Sequence, residues 1–229
     1  MESSTKKQLL KYVLFLVVFI GLYYCAEIIH LFDSEEDKLF QMIKYGYIND
    51  FLINLCKWVW YIGMLVGAYF YSKKYLIIKG NENKPKEIPL KRVGIIYGIV
   101  VLFSFIVTSS LGFKLKIVYD LGENITSFGI VNRLSDIATG IFRMPIVLYV
   151  IRYVDEIIRL FAKKEYVQYI PVAGVFSMIV FGIYDLVIIG VNPLSLVFFF
   201  MYIVYNYIYV FTYRNFLASS IVNSIIFVL

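Results

Sequence analysis

The chain has 229 residues, of which 61% are apolar and 17% are charged, and its formal net charge is +6. Soluble domains are roughly half apolar and about a quarter charged, so this composition and a mean hydropathy of +0.77 exclude an ordinary soluble domain. A single histidine argues against a zinc site, and the positive charge forms no basic face of the kind that binds nucleic acid. We expect no metal, no cofactor and no nucleic-acid partner.

The apolar residues are gathered in long stretches, and a run of about 18 or more is typical of a membrane-spanning helix. In chain order the predicted spans cover about residues 12–32, 51–71, 93–113, 134–151, 170–190, 194–212 and 216–229. We therefore predict an all-α bundle of about seven transmembrane helices in a single membrane domain. Within it, residues 1–92 supply the leading helices and a basic loop, and residues 93–229 supply the helical core.

Basic residues are distributed unevenly between the two sides of the predicted bundle. If the spans alternate, one side receives the N-terminal lysines, the 72–92 connection with its seven Lys or Arg residues, the 152–168 connection and Arg214. The other side holds the acidic segment DSEED (33–37) and five basic residues. Because basic residues stay on the cytoplasmic side, we predict a cytoplasmic N-terminus and an external C-terminus. The Ile-, Lys- and Asn-rich composition is typical of an AT-rich bacterial genome, so the predicted location is a bacterial cytoplasmic membrane.

Few ionisable residues lie inside the predicted spans, and each costs about 2.5–3.5 kcal/mol at a helix centre unless it faces a partner or a wet cavity. Arg143 lies in the fourth span, Asp185 in the fifth and Asn223 in the seventh. We expect Arg143 and Asp185 to form a buried ion pair, with Asn223 as a neutral third partner. The alternative, snorkelling to an interface, suits the long side chain of Arg143 better than the short one of Asp185.

Three other polar or aromatic patterns receive structural interpretations. Glu27 and His30 have the i, i+3 spacing of half a di-iron motif, but without a second histidine they are interpreted as helix-end polar residues. The segment DEIIR (155–159) lies in a basic connection and is interpreted as a solvated amphipathic turn. A stripe of tyrosines on one helix face consists of Tyr202, Tyr205 and Tyr209. It indicates packing, and the alternative is that it lines a cavity.

Three short segments follow one another on the fourth, fifth and seventh predicted spans: ATGIFRM (138–144), FGIYD (181–185) and FLASSIVNSIIF (216–227). In this order they resemble the CAAX-protease/bacteriocin-processing family of intramembrane proteases, also called CPBP or Abi. That family carries Glu-Glu-x-x-x-Arg, Phe-x-x-x-His and His-x-x-x-Asn on successive relevant spans. Arg143 and Phe181 match the pattern, and the resemblance covers about residues 130–229.

The departures from the family pattern concern its catalytic positions. The paired glutamates are replaced by Ala138 and Thr139, the first histidine by Asp185, the second by Asn223 and the final asparagine by Phe227. In the family, a glutamate activates water, and the histidines and asparagine stabilise the developing charge.

General-base catalysis needs a titratable group near that water, which Ala138 and Thr139 do not supply. An oxyanion needs donors, whereas Asp185 adds negative charge. The resemblance therefore implies a pseudoprotease with no catalytic residues. We expect a scaffold that binds, and regulates or stabilises, a partner protein of the membrane or cell envelope.

Three alternative functions remain open at this point. The size and span count also fit a small-molecule transport component, of the type of the substrate-binding subunit of a vitamin importer. Bacteriocin self-immunity is a role that the resemblance implies. An intramembrane protease with atypical residues would use Asp185 as its base, assisted by Asn223 or Thr139.

Overall fold

The computed structural model describes residues 3–31, 46–75, 90–110, 127–161, 170–191 and 193–228. Within these ranges the chain forms seven helices and no strand, which confirms the predicted all-α bundle. They are α1 (Ser3–Leu31), α2 (Gly46–Tyr75), α3 (Leu90–Ser110), α4 (Ser127–Phe161), α5 (172–189), α6 (Pro193–Phe211) and α7 (Phe216–Val228). Most of the basic loop between α2 and α3 lies outside the described residues.

Four of these helices are long and apolar enough to cross a membrane, which confirms the membrane character of the chain. Their apolar portions are Thr5–Glu27 in α1, Phe51–Tyr75 in α2, Lys91–Ser109 in α3 and Leu134–Phe161 in α4. The apolar portions of α5, α6 and α7 are shorter, at 10–17 residues. Crossing by these three helices stays a prediction.

Helix α4 lies at the centre of the bundle. It contacts α1, α2, α5, α6 and α7. From Ile146 to Ile151 every residue is at most 5% exposed, so this segment of the helix is buried on all of its faces. A helix that is apolar all round belongs in such an interior. Arg143 lies just before this segment, where the neighbouring helices converge.

Helix α5 contains an irregular turn. Its α-helical parts, Val172–Ser177 and Ile183–Ile189, flank a π-helical turn, Met178–Gly182. The hydroxyl of Tyr24 on α1 donates a hydrogen bond to the carbonyl of Val180 inside that turn. Single π turns within α-helices are frequent at functional sites. Here the turn ends at Gly182, three residues before Asp185.

Two glycines allow α5 and α6 to approach closely. A Cβ on Gly174 would lie 2.9 Å from the Cα of Ile203, and one on Gly182 would lie 2.7 Å from the ring of Phe199. Either side chain would collide with α6, and at Gly174 the obstacle is backbone. The glycine of the FGIYD segment therefore has a packing role.

A tight turn between α6 and α7 corrects one sequence interpretation. Arg214 has a left-handed backbone, with φ of 61°, and its guanidinium contacts the carboxylate of Asp155 at 2.7 Å. Asp155 is 5% exposed, and α4 continues to Phe161, so the prediction that DEIIR is a solvated turn was wrong. Burial by itself lowers the pKa of Arg214, but the hydrogen bonds and charge of Asp155 outweigh it, so the pKa is raised. The sequence missed this pair because Arg214 is 59 residues away.

Candidate functional site

The residues predicted to pair inside the bundle are brought together by α4, α5 and α6. Nη1 of Arg143 lies 2.8 Å from Oδ1 of Asp185. Nη2 of Arg143 donates to the hydroxyl of Tyr202 at 3.0 Å, and that hydroxyl donates to Oδ2 of Asp185 at 2.6 Å. The three side chains therefore form a closed ring across three helices, which we call the Arg143 ring.

The Arg143 ring is largely enclosed. The side chains of Arg143 and Asp185 are 16% and 9% exposed, and Tyr202 is 3% exposed. The guanidinium also lies over the ring of Tyr23, 5.4 Å from its centroid. A charge-assisted contact is stronger in such surroundings than in water. The remaining Nε–H of Arg143 has no hydrogen-bond partner within the described residues.

Asn223 is not the third partner of the ion pair, which corrects the sequence expectation. Its side chain is fully buried, but neither its amide nitrogen nor its amide oxygen has a hydrogen-bond partner in the described part of the chain. Tyr202 holds that role instead. The tyrosine stripe on α6 marked this face as packing, but the pattern did not reveal that one hydroxyl reaches two charged groups.

A small cavity adjoins the Arg143 ring. It has a volume of about 210 Å³ and is bounded by the ring on one wall and by apolar side chains elsewhere, including Met201, Tyr205 and Phe227. Small-molecule sites usually measure about 300–1,000 Å³. This cavity is therefore large enough for a few waters or one compact group, and small for a drug-sized ligand.

The other residues of the resemblance have separate structural roles. Phe181 is fully buried and packs edge-on against Tyr23, with centroids 4.8 Å apart. Phe227 lines the cavity, and its ring occupies the space beside Gly140. Ala138 is half-buried on α4.

The side chain of Thr139 contacts helix α2 and not the Arg143 ring. Its hydroxyl accepts a hydrogen bond from Nε1 of Trp58 at 2.7 Å and contacts the side-chain oxygen of Asn54 at 3.1 Å. Both partners belong to α2. The position that carries a glutamate in the family therefore joins α2 to α4 and does not contribute to the ring.

A second buried ion pair escaped the sequence analysis. Nζ of Lys57 on α2 lies 3.1 Å from Oε2 of Glu27 on α1, and the two side chains are 1% and 7% exposed. Tyr61 donates to the other carboxylate oxygen, and Tyr184 donates to Oε2 at 3.2 Å. The interpretation of Glu27 as an ordinary helix-end residue was wrong, and the side chain of His30 lies outside the described residues.

Aromatic side chains connect the two charged clusters. Tyr23 lies under the guanidinium of Arg143 and stacks on Tyr61, with centroids 6.2 Å apart. Tyr61 in turn binds Glu27. Two cations and two carboxylates from four helices therefore form one interior polar layer with balanced charge.

The arrangement favours a structural role for these groups. Each oxygen of Asp185 and the hydroxyl of Tyr202 are already engaged, whereas a general base needs a lone pair directed at its substrate or at water. Within the described ranges, no three His, Cys, Asp or Glu side chains lie together as a metal site requires. The geometry fixes helix positions and leaves the small cavity beside them.

Comparison with protein-family models, curated proteins and solved structures finds no match to this chain.

Proposed function

We propose that this chain is a degenerate member of the CPBP family that acts as a catalytically inactive membrane scaffold. In this proposal it is a multi-pass protein of a bacterial cytoplasmic membrane, with its N-terminus in the cytoplasm and its C-terminus outside. It binds a second protein of the membrane or cell envelope, and stabilises or regulates that partner.

The closed Arg143 ring is the observation that supports an inactive scaffold. Asp185 stands where the family has a histidine, and both of its oxygens accept bonds from Arg143 or Tyr202. An intramembrane protease must present an acid–base group to water and donors to the developing oxyanion. In the ring, the contacts of Asp185 and Tyr202 are directed at each other and at Arg143, and they hold α4, α5 and α6 together.

The cavity beside the Arg143 ring is small for the binding site of a small-molecule carrier. Its volume is about 210 Å³, below the roughly 300–1,000 Å³ that small-molecule sites usually have. Tyr202 and Tyr205 do line it, as the alternative interpretation of the tyrosine stripe expected. Transport is therefore the second candidate function, favoured by the tyrosine lining and disfavoured by the volume of the cavity.

The exposed surface of helix α3 best suits a partner helix. Only 12% of its apolar window is buried, compared with 56% for α4, and Tyr97 and Phe105 are 70% and 61% exposed. A Cβ on Gly94 or Gly98 would meet nothing within 4 Å among the described residues. Such a GxxxG pair lets a second transmembrane helix approach closely.

Affinity purification in a mild detergent from the native cells, followed by mass spectrometry, tests this proposal. We expect one envelope protein to copurify with the full-length chain in near-stoichiometric amount. The double variant Gly94→Leu/Gly98→Leu should lose it. The matched control is Gly21→Leu on α1, where an added side chain is equally unobstructed by the described residues, and it should retain the partner.

Three results would overturn the proposal. Hydrolysis of a peptide by the purified protein, abolished in Asp185→Ala, would establish an enzyme. A water-soluble small molecule retained in stoichiometric amount through purification would establish a carrier. Recovery of the chain without any partner, in every mild detergent used, would remove the scaffold function.

A further inference from the structure

A long apolar groove separates α1 from α2 on the surface of the bundle. It has a volume of about 710 Å³, and its walls include Phe15 and Phe19 of α1 and Trp60 and Tyr71 of α2. On α2 the lining extends from Leu55 to Tyr71, a rise of about 24 Å along a helix. This approaches the ~30 Å thickness of the hydrocarbon core, so the groove crosses most of the apolar depth of a bilayer.

Two glycines line part of the groove, and a hydrogen bond joins its two helices near one end. Gly63 and Gly67 form part of its lining, and a Cβ on either would meet nothing within 4 Å in the described ranges. Near one end, Nε1 of Trp60 donates to the carbonyl of Leu22 at 2.9 Å. This hydrogen bond joins α1 to α2, and the two glycines leave space for an occupant between them.

The other end of the groove carries two cations. The hydroxyl of Tyr71 donates to the carbonyl of Lys11 at 2.9 Å, and the ring of Tyr71 packs on that of Tyr75 at 4.7 Å. The ammonium groups of Lys11 and Lys74 lie 4.8 and 5.1 Å from the centroid of Tyr75. Neither lysine has a carboxylate partner within the described part of the chain.

We propose that this groove binds an anionic phospholipid. An acyl chain would lie along the apolar walls between α1 and α2, and the phosphate would contact Lys11 and Lys74 at the end marked by Tyr75. Basic sites beside transmembrane helices recognise anionic headgroups in this way. The groove alone would suit any apolar occupant, but the two ammonium groups at its end, which have no carboxylate partner among the described residues, select a negatively charged headgroup. The inference stands independently of the proposed scaffold function.

Native mass spectrometry of the full-length, delipidated protein tests the headgroup preference. Phosphatidylglycerol and phosphatidylcholine with identical acyl chains are the two probes, and we expect tighter binding of phosphatidylglycerol. An interfacial lysine contributes about fivefold in affinity for an anionic lipid. The double variant Lys11→Gln/Lys74→Gln should therefore weaken phosphatidylglycerol binding about thirtyfold and leave phosphatidylcholine nearly unchanged. Lys6→Gln/Lys7→Gln removes the same charge from the same end of α1 and should have little effect.

The thiol of Cys56 provides a second readout inside the groove. Cys56 lines the groove, whereas Cys25 is exposed but is not among the lining residues. Bound phosphatidylglycerol should slow the reaction of Cys56 with a membrane-permeant maleimide and leave Cys25 unaffected.

Equal binding of the two lipids, or equal weakening by the Lys6/Lys7 and Lys11/Lys74 variants, would overturn the proposal. So would a crosslink from Cys56 to a partner helix or to a second copy of the chain, because the groove would then hold protein.

Discussion

The Arg143 ring predicts an asymmetric response when its two charges are removed one at a time. Asp185→Asn keeps the size of the side chain but leaves a guanidinium, 16% exposed, without a counter-charge. Arg143→Met leaves a carboxylate, 9% exposed, whose described donor is then Tyr202. Removing one partner of a buried pair costs about 3–5 kcal/mol of unfolding free energy.

The two single variants should fall at opposite ends of that range. Tyr202 still donates to the carboxylate of Asp185 after Arg143→Met, so we expect about 3 kcal/mol for that variant. Arginine stays charged in proteins, so we expect about 5 kcal/mol for Asp185→Asn. The double variant has no uncompensated charge, and Tyr202 can still donate to the new amide. It should lie within about 1 kcal/mol of the wild type, because replacing a buried pair by neutral groups is often close to neutral.

Unfolding in mixed micelles titrated with sodium dodecyl sulfate measures these free energies. The fluorescence of Trp58, which joins α2 to Thr139 of α4, reports the loss of helix packing. The control pair is Glu156 and Arg159, which are 3.3 Å apart and 21% and 28% exposed. Neutralising both should cost no more than about 0.5 kcal/mol.

The double-mutant cycle distinguishes an interacting ion pair from two independent residues. Independent sites add within about 0.5 kcal/mol, whereas the ring predicts that the double variant is more stable than either single variant. A double variant destabilised by the sum of the two singles would refute the reasoning. Single variants that each cost under about 1 kcal/mol would also refute it, because both groups would then reach water.

Two further predictions concern other contacts of the interior. Lys57→Met should destabilise the protein by about 3–5 kcal/mol, because it leaves the buried carboxylate of Glu27 without its cation. The double variant with Glu27→Gln should recover most of that loss in the same titration. A double variant that does not recover would show that the loss does not come from the ion pair. Gly174→Ala should cost about 1–3 kcal/mol, since its methyl group would collide with the backbone at Ile203. Gly21→Ala is the matched control, with space for a methyl group among the described residues, and equal stability of the two variants would show that α5 and α6 can separate without penalty.

The helices were predictable from the sequence because apolar length is a local property. Their ends were less predictable. The fourth predicted span, 134–151, is shorter at both ends than α4, Ser127–Phe161. Polar and charged residues end a hydropathy window, but they do not end a helix whose charged groups find partners, as Asp155 does.

Composition and spacing identified part of the interior polar layer. Arg143 and Asp185 stood out because apolar residues flank each of them within a predicted span, where an unpaired charge is costly. Glu27 is followed by His30 and the acidic segment DSEED, which indicated a solvated helix end, and nothing in the local sequence of Lys57 identified Glu27 as its partner. Tyr202 was expected to be a packing residue, since a tyrosine pattern does not specify the direction of its hydroxyl. These contacts depend on how each helix is rotated within the bundle, which one sequence does not specify.

The irregular turn in α5 sets the angular position of everything that follows it. Each residue of an α-helix advances about 100° around the axis, and the wider i→i+5 spacing at Met178–Gly182 takes up additional chain before the regular spiral resumes at Ile183. A segment of the same length wound as a regular α-helix would turn Asp185 about 100° away from the guanidinium of Arg143. The ion pair between α4 and α5 therefore depends on the π-helical turn, which accommodates one additional residue and keeps Asp185 facing Arg143.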